Sequence, residues 1–274
     1  MYTQYWQLNR VPFANDPASE FFYGSETHHA AILKLRYALE QQLGAALLLG
    51  ATGCGKTCVI DRLADELPER FSPIVRLVFP LLTAEELLNY VAAELEIDAS
   101  PAAADAGLDG TVRRIADRLA RNTQEGRHAV IVIDEAHLIE DRRTFTALHL
   151  LLNFVQPAQM EFSLLMSGDL VLARQVERMP QLDERIGVKG LIKPLSKEDT
   201  ALYVEHRMAA AGAKQRIFNE EALVALFEHS GGVPRRINRL ADLALLVGYA
   251  DSLQSIGADD IDAVTDEFVG VSAA

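Results

Sequence analysis

Gly50-Ala51-Thr52-Gly53-Cys54-Gly55-Lys56-Thr57 fits G-x-x-x-x-G-K-[ST] at every fixed position, the pattern of a loop built to hold phosphate. Glycines let the backbone approach an anion closely. Successive N–H groups and the N-terminus of the next helix then face its charge. Lys56 is placed to reach the β- and γ-phosphates of a nucleoside triphosphate, and the Thr57 hydroxyl to hold magnesium. Gly50 to Cys58 are therefore candidate nucleotide contacts. The competing reading is a glycine-rich turn that ends in Lys-Thr.

A second motif lies 78 residues after Lys56, where the apolar run from His128 ends in Asp134-Glu135. Phosphoryl transfer with magnesium needs an acid at the end of a neighbouring strand, and Asp134 fits that role. Glu135 sits one residue further on, placed to polarise an attacking water as general base. The alternative is that the two acids simply cap a helix starting near Ala136. His137 reads as a surface or internally satisfied histidine. His28 and His29 lack partners at metal-ligand spacing, so no metal beyond magnesium is expected.

The elements that must position these groups are legible from pattern. Ala45–Leu49 and His128–Ile133 are short apolar runs of the kind found in buried parallel strands. Ile74–Phe79, Phe162–Met166 and Gly187–Ile192 read as three more strands. Helices are expected from Cys58, from Ser25 to about Gln42, from the Thr83 cap to about Leu95, and over Thr111–Asn122. Ala99–Gly110 is rich in small residues and reads as a loop. Strands alternating with helices imply an α/β fold, a mostly parallel five-stranded sheet sandwiched by helices. After Pro194 the pattern becomes wholly helical, over Ser196–Ala211, Asn219–His229, Pro234–Val247 and Ala258–Val269. The expected division is a nucleotide-binding core over 1–194, whose first 43 residues are a leading segment and first helix, and a helical lid over 195–274.

The 274 residues carry a net charge of −13, which argues against bulk attraction to nucleic acid or anionic lipid. Arg113, Arg114, Arg118 and Arg121 form one basic stripe, interrupted by Asp117. No apolar run approaches a membrane span, and Met1–Trp6 does not read as a signal peptide, so a cytoplasmic location is expected. Cys54 and Cys58 are the only cysteines. Cys54 reads as a variable loop position and Cys58 as a residue packed on the sheet.

The order of phosphate loop, strand ending Asp-Glu, and helical tail with Gly231-Gly232-Val233-Pro234-Arg235-Arg236-Ile237-Asn238 resembles the AAA+ ATPases, near the Orc/Cdc6-like branch. Tyr5-Trp6-Gln7-Leu8, Pro12-Phe13, Asp16-Pro17, Phe21-Phe22-Tyr23-Gly24-Ser25 and His28-His29 resemble the opening of ExeA-like proteins, general secretion pathway protein A. Transposition ATPases of the TniB and TnsC kind share the module. The resemblance implies a P-loop NTPase that binds and hydrolyses ATP with Mg2+, as a homo-oligomeric ring or filament acting on a protein partner. That partner belongs to a secretion or pilus-type envelope system; the alternative is an ATP-dependent DNA-binding regulator. ExeA-like secretion proteins also carry a membrane segment and a peptidoglycan-binding domain, and neither is read here.

Further roles follow from the resemblance, joined at Arg235 by a local signal. Gly231-Gly232 breaks the preceding helix and Pro234 suits a first helical turn, the competing reading being a solvent-facing basic cap with Arg236 and Arg239. Arg235 falls where the family places the lid arginine that touches the γ-phosphate within one subunit. Arg185, in Leu182-Asp183-Glu184-Arg185-Ile186, falls where an arginine finger reaches the neighbouring subunit's nucleotide, its competitor being a salt bridge to Asp183 or Glu184. Ser167 is the choice for the strand-end polar residue that orients the attacking water. Pro12-Phe13 packs either beside the adenine or as a staple at a domain edge.

Overall fold

A computed structural model describes residues 1–14, 19–78, 81–95, 107–153 and 160–272. The chain divides into two compact units. The first, residues 27–52 and 59–192, contains the sheet. Its strands are β1 (Ala45–Gly50), β2 (Ile74–Leu77), β3 (Ala129–Ile133), β4 (Phe162–Gly168) and β5 (Ile186–Ile192). They lie in the order β2-β3-β4-β1-β5, and every neighbouring pair is parallel. The three inner strands are buried at every residue, whereas β2 and β5 alternate with solvent as edge strands do. This is the expected five-stranded α/β arrangement.

The pleat sorts side chains onto two faces. Leu47, Leu49, Val75, Leu77, Ile131, Ile133, Leu164 and Met166 join one apolar core. That core is completed by α4 (Ala84–Glu94), α5 (Gly107–Gln124), α6 (Arg142–Asn153) and α7 (Leu170–Glu177). The alternate residues face the other way, where α2 (Glu26–Glu40) brings Ala31 close to Leu48 beside Gly190. Arg76, Asp134 and Ser167 belong to this second set by register. α3 (Lys56–Glu66) follows the phosphate loop. Thr83 closes a capping box with Glu86, as its spacing before α4 requires. Gly107 already begins α5, so the expected loop ends sooner; its residues 99–106 lie outside the described ones.

His128 is buried at the start of β3, with Nε2 2.9 Å from Ser163 Oγ. Burial pushes its pKa down to about 4. The unfolded chain therefore binds a proton that the folded chain refuses, and stability present above about pH 6.5 is lost as pH falls toward 4. Between pH 8 and pH 5 this one group is expected to remove about 2 kcal/mol. Urea melts should show that loss, and His128→Gln should reduce it.

The second unit comprises residues 1–26, 53–58 and 193–274. α9 (Lys197–Ala210), α10 (Glu220–Ser230), α11 (Pro234–Ala250) and α12 (Ala258–Ser272) form its frame, with α1 (Tyr2–Tyr5) at the start of the chain. α8 (Pro180–Asp183) lies in the sheet unit. Ser196 and Asn219 cap α9 and α10, Gly231 ends α10 in the left-handed conformation, and Pro234 stands in the first turn of α11. Trp6, Leu8, Phe13 and Phe21 enter this helical core. Trp6 Nε1 donates to the Leu245 carbonyl at 2.9 Å. Buried Arg207 donates to the carbonyls of Pro12 and Ala14, both at 2.7 Å, and its guanidinium lies over the Phe21 ring. Phe13 meets Phe218 edge-on at 6.1 Å. Asp16-Pro17 lies outside the described residues.

Candidate nucleotide site

The phosphate loop joins β1 to α3. Gly53 and Gly55 have φ of 85° and 93°, a region that side chains with a Cβ rarely occupy. Gly53 is constrained a second time within the helical unit. A Cβ there would lie 2.8 Å from Arg235 Cβ and 3.1 Å from Val233 Cγ1. Its carbonyl accepts the Arg235 backbone N–H at 3.2 Å. The start of α11 thus rests on the loop that follows β1. Gly232 sets that approach: at φ 72°, a Cβ would fall 2.0 Å from the Leu195 carbonyl oxygen. The Gly232 carbonyl accepts the Leu195 N–H at 2.8 Å. Both glycines of the Gly-Gly pair have structural work, and Arg235 is brought to the phosphate loop itself.

Lys56 is buried at the first position of α3, and no acidic side chain occupies the helix's first turn. A buried cation at the positive end of a helix dipole is a favourable arrangement once an anion arrives. Thr57 is exposed beside it. Cys54 is fully buried, and Cys58 is exposed rather than packed on the sheet as expected from sequence. The loop turns Cys54 inward, and the helical phase from Lys56 carries Cys58 to the surface while Val59 and Ile60 point in.

In the sheet unit, Asp134 extends β3 and is 2% exposed. Its Oδ1 accepts the Ser167 hydroxyl and the Glu135 N–H, the latter at 3.0 Å. Its Oδ2 lies 3.2 Å from Arg76 Nη2, while Arg76 Nη1 pairs with Asp61 on α3. Leu48 is the register partner of Ser167, and Ile133 of Met166, so Asp134, Ser167 and the end of β1 share the C-terminal edge of the sheet. Ligands in open α/β folds bind at that edge. Ser167 is fully buried with its hydroxyl on Asp134, which orients the carboxylate.

Glu135 adopts φ 51°, ψ 36° and makes no side-chain cap to the turn Ala136–Leu138. Glu135 thus stands at the cap position of that turn without supplying the side-chain hydrogen bond that the helix-cap reading would use. A left-handed conformation in a non-glycine residue is strained and is retained where surrounding structure holds it. His137 Nδ1 lies 3.3 Å from Glu135 Oε2, and its Nε2 lies 3.8 Å from Asp169 Oδ2. His137, read as a surface or internally satisfied histidine, stands between two carboxylates. Asp169 also caps α7 through the Val171 N–H.

Arg185 lies at the other end of the sheet. It precedes β5, and Ile186 pairs with Ala45 at the start of β1. Seven strand residues, about 20 Å, separate it from the edge that carries Asp134. Its Nη2 donates to Asn153 Oδ1 at 2.8 Å, so the expected competitor, a bridge to Asp183 or Glu184, does not form; Asp183 pairs with Lys189 instead. Within one chain it does not serve that edge.

Arg76 and Asp61 were missed by sequence reasoning. The available signal was a charge inside an otherwise apolar edge strand, Ile74-Val75-Arg76-Leu77, since a partly buried guanidinium needs a partner.

Residues 39–176, half of the chain, match the family model described as AAA domain. The chain belongs to the AAA domain family. General secretion pathway protein A of Aeromonas hydrophila is 34% identical over 275 residues, covering 99% of this chain and 49% of that protein. This AAA domain chain thus spans about half the length of the curated relative it matches. Among solved structures, the ORC2 protein of Aeropyrum pernix, with ADPNP and ADP, superposes at a TM-score of 0.71 with 14% identity, over 94% of this chain and 72% of that one. Cdc6p of Pyrobaculum aerophilum gives 0.71 with 15% identity, over 91% and 70%. The RuvB Holliday junction branch migration motor of Thermotoga maritima gives 0.63 with 15% identity, over 94% and 73%. The fold is that of an AAA+ P-loop ATPase, as the motif order implied. Among the described residues no helix is long and apolar enough to cross a membrane.

Proposed function

We propose that this AAA+ ATPase binds and hydrolyses MgATP to change the conformation or assembly of a protein partner, with subunits that complete one another's active sites. The observation that carries the reading is the hydrogen bond from the Arg235 N–H to the Gly53 carbonyl, which ties the first turn of a lid helix to the phosphate loop. Phosphate seated on that loop is then felt by α11 through one backbone contact. Thr57 and the buried Asp134 offer hard oxygen donors of the kind magnesium takes. When bound, the ion neutralises charge on the phosphates. Lys56 holds the β- and γ-phosphates, Glu135 takes the proton of the attacking water, and Ser167 fixes the Asp134 carboxylate. The relationship to general secretion pathway protein A favours an envelope secretion or pilus-type partner.

Arg185 supplies its guanidinium to the next subunit in a ring or filament, which agrees with its place at the far edge of its own sheet. Arg185→Ala should lower turnover at least about 100-fold. Mixing it with an equally inactive Glu135→Gln variant should restore activity, because some interfaces then pair an intact Arg185 with an intact Glu135. No recovery in the mixture would remove the shared-site model.

The DNA-binding alternative is less well supported. Arg113 pairs with Asp109, Arg114 bonds Thr111, and Arg118 Nε donates to the Leu95 carbonyl, so much of the stripe is engaged locally. DNA binding with ATP that weakens steeply with salt would revive it.

A further inference from the structure

Asp134 has a partner that no motif announces. Its carboxylate is almost wholly buried, where an ionised group needs compensating charge. The two oxygens are used differently. Oδ1 takes the Ser167 hydroxyl and the Glu135 N–H, whereas Oδ2 faces the Arg76 guanidinium at 3.2 Å. Strand register enforces the pair: Arg76 lies opposite Val132 on the neighbouring strand, and both it and Asp134 project from the same face. The same guanidinium holds Asp61 through its other nitrogen. Asp61 is 42% exposed at its side chain and Asp134 only 2%.

We propose that Arg76 is a resident counter-ion of the metal-binding carboxylate: it pairs with Asp134 while no divalent cation is bound, yields that oxygen to Mg2+, and is retained by Asp61. The proposal rests on the reading of Asp134 as the magnesium residue. Guanidinium keeps its charge throughout the physiological range, so only displacement removes it from the carboxylate. A small dication seeking oxygen at close range is repelled by a cation on that oxygen. Asp61 lowers the cost of the exchange, because the displaced guanidinium keeps one carboxylate partner. The pairing thus sets how much Mg2+ the nucleotide site requires, and it satisfies Asp134 in the empty state.

The test is a Mg2+ titration of fluorescent ATP-analogue retention by the full chain at pH 8, read by anisotropy and independent of hydrolysis. Arg76→Met is expected to reach half-saturation at roughly fivefold lower Mg2+, since a like charge has gone. Asp61→Asn, which leaves Arg76 wholly on Asp134, is expected to need about threefold more Mg2+. A merely structural role for Arg76 gives the opposite sign for Arg76→Met, a weaker Mg2+ response. An unchanged or higher requirement in Arg76→Met overturns the proposal. If that variant does not fold, an unchanged or lower requirement in Asp61→Asn overturns it equally. A wild-type chain with no Mg-dependent retention at all would sink the underlying nucleotide reading.

Discussion

Replacing Glu135 by glutamine is expected to lower ATP turnover at least about 100-fold while nucleotide binding stays within about twofold of wild type. The substitution keeps shape and hydrogen-bonding length and removes the basic oxygen. The backbone at this residue is held left-handed just past β3, and its N–H is fixed on Asp134 Oδ1, so the side chain is aimed by structure that the change leaves alone. Phosphate release under saturating MgATP measures the first quantity, and anisotropy with a labelled analogue the second. Turnover within threefold of wild type would move the general base elsewhere.

Lys56→Ala should give the opposite pattern, losing at least about 100-fold in affinity for the triphosphate itself, as expected when a buried charge-assisted phosphate contact is removed. Lys56 is 3% exposed at the head of α3, in a first turn without acidic side chains. A cation there adds to the positive end of the helix dipole, which a site for anions requires and a purely structural helix start does not. The variant is expected to lose the upward shift in melting temperature that ligand gives wild type. Retained affinity alongside lost turnover would confine Lys56 to the chemical step.

What the sequence revealed and what it concealed divide along physical lines. β1 and β3 were legible because strands covered on both faces carry unbroken apolar runs. The start of α4 was legible because a Thr-x-x-Glu box is a local signal. The partners of Trp6 and Phe13 were not, because apolar side chains near the N-terminus carry no label for the core they join. Only the folded chain shows Trp6 against α11 and Arg207 on the carbonyls of Pro12 and Ala14. The burial of Cys54 and the exposure of Cys58 were not legible because a loop with two left-handed glycines has no periodicity to read. Gly53 shows the same limit. Its place in the motif pointed to phosphate, whereas its contact with Arg235 depends on a helix start almost 200 residues away in sequence.

The proposed function requires that the loop carrying Lys56 and Thr57 hold a nucleoside triphosphate together with magnesium. Titrating a labelled ATP analogue into the purified chain, with Mg2+ and again with excess chelator, tests it directly. Saturable binding that unlabelled ATP displaces, and that the chelator weakens by tenfold or more, is the expected result. Binding that never saturates, or that is indifferent to both ATP and chelator, would contradict it.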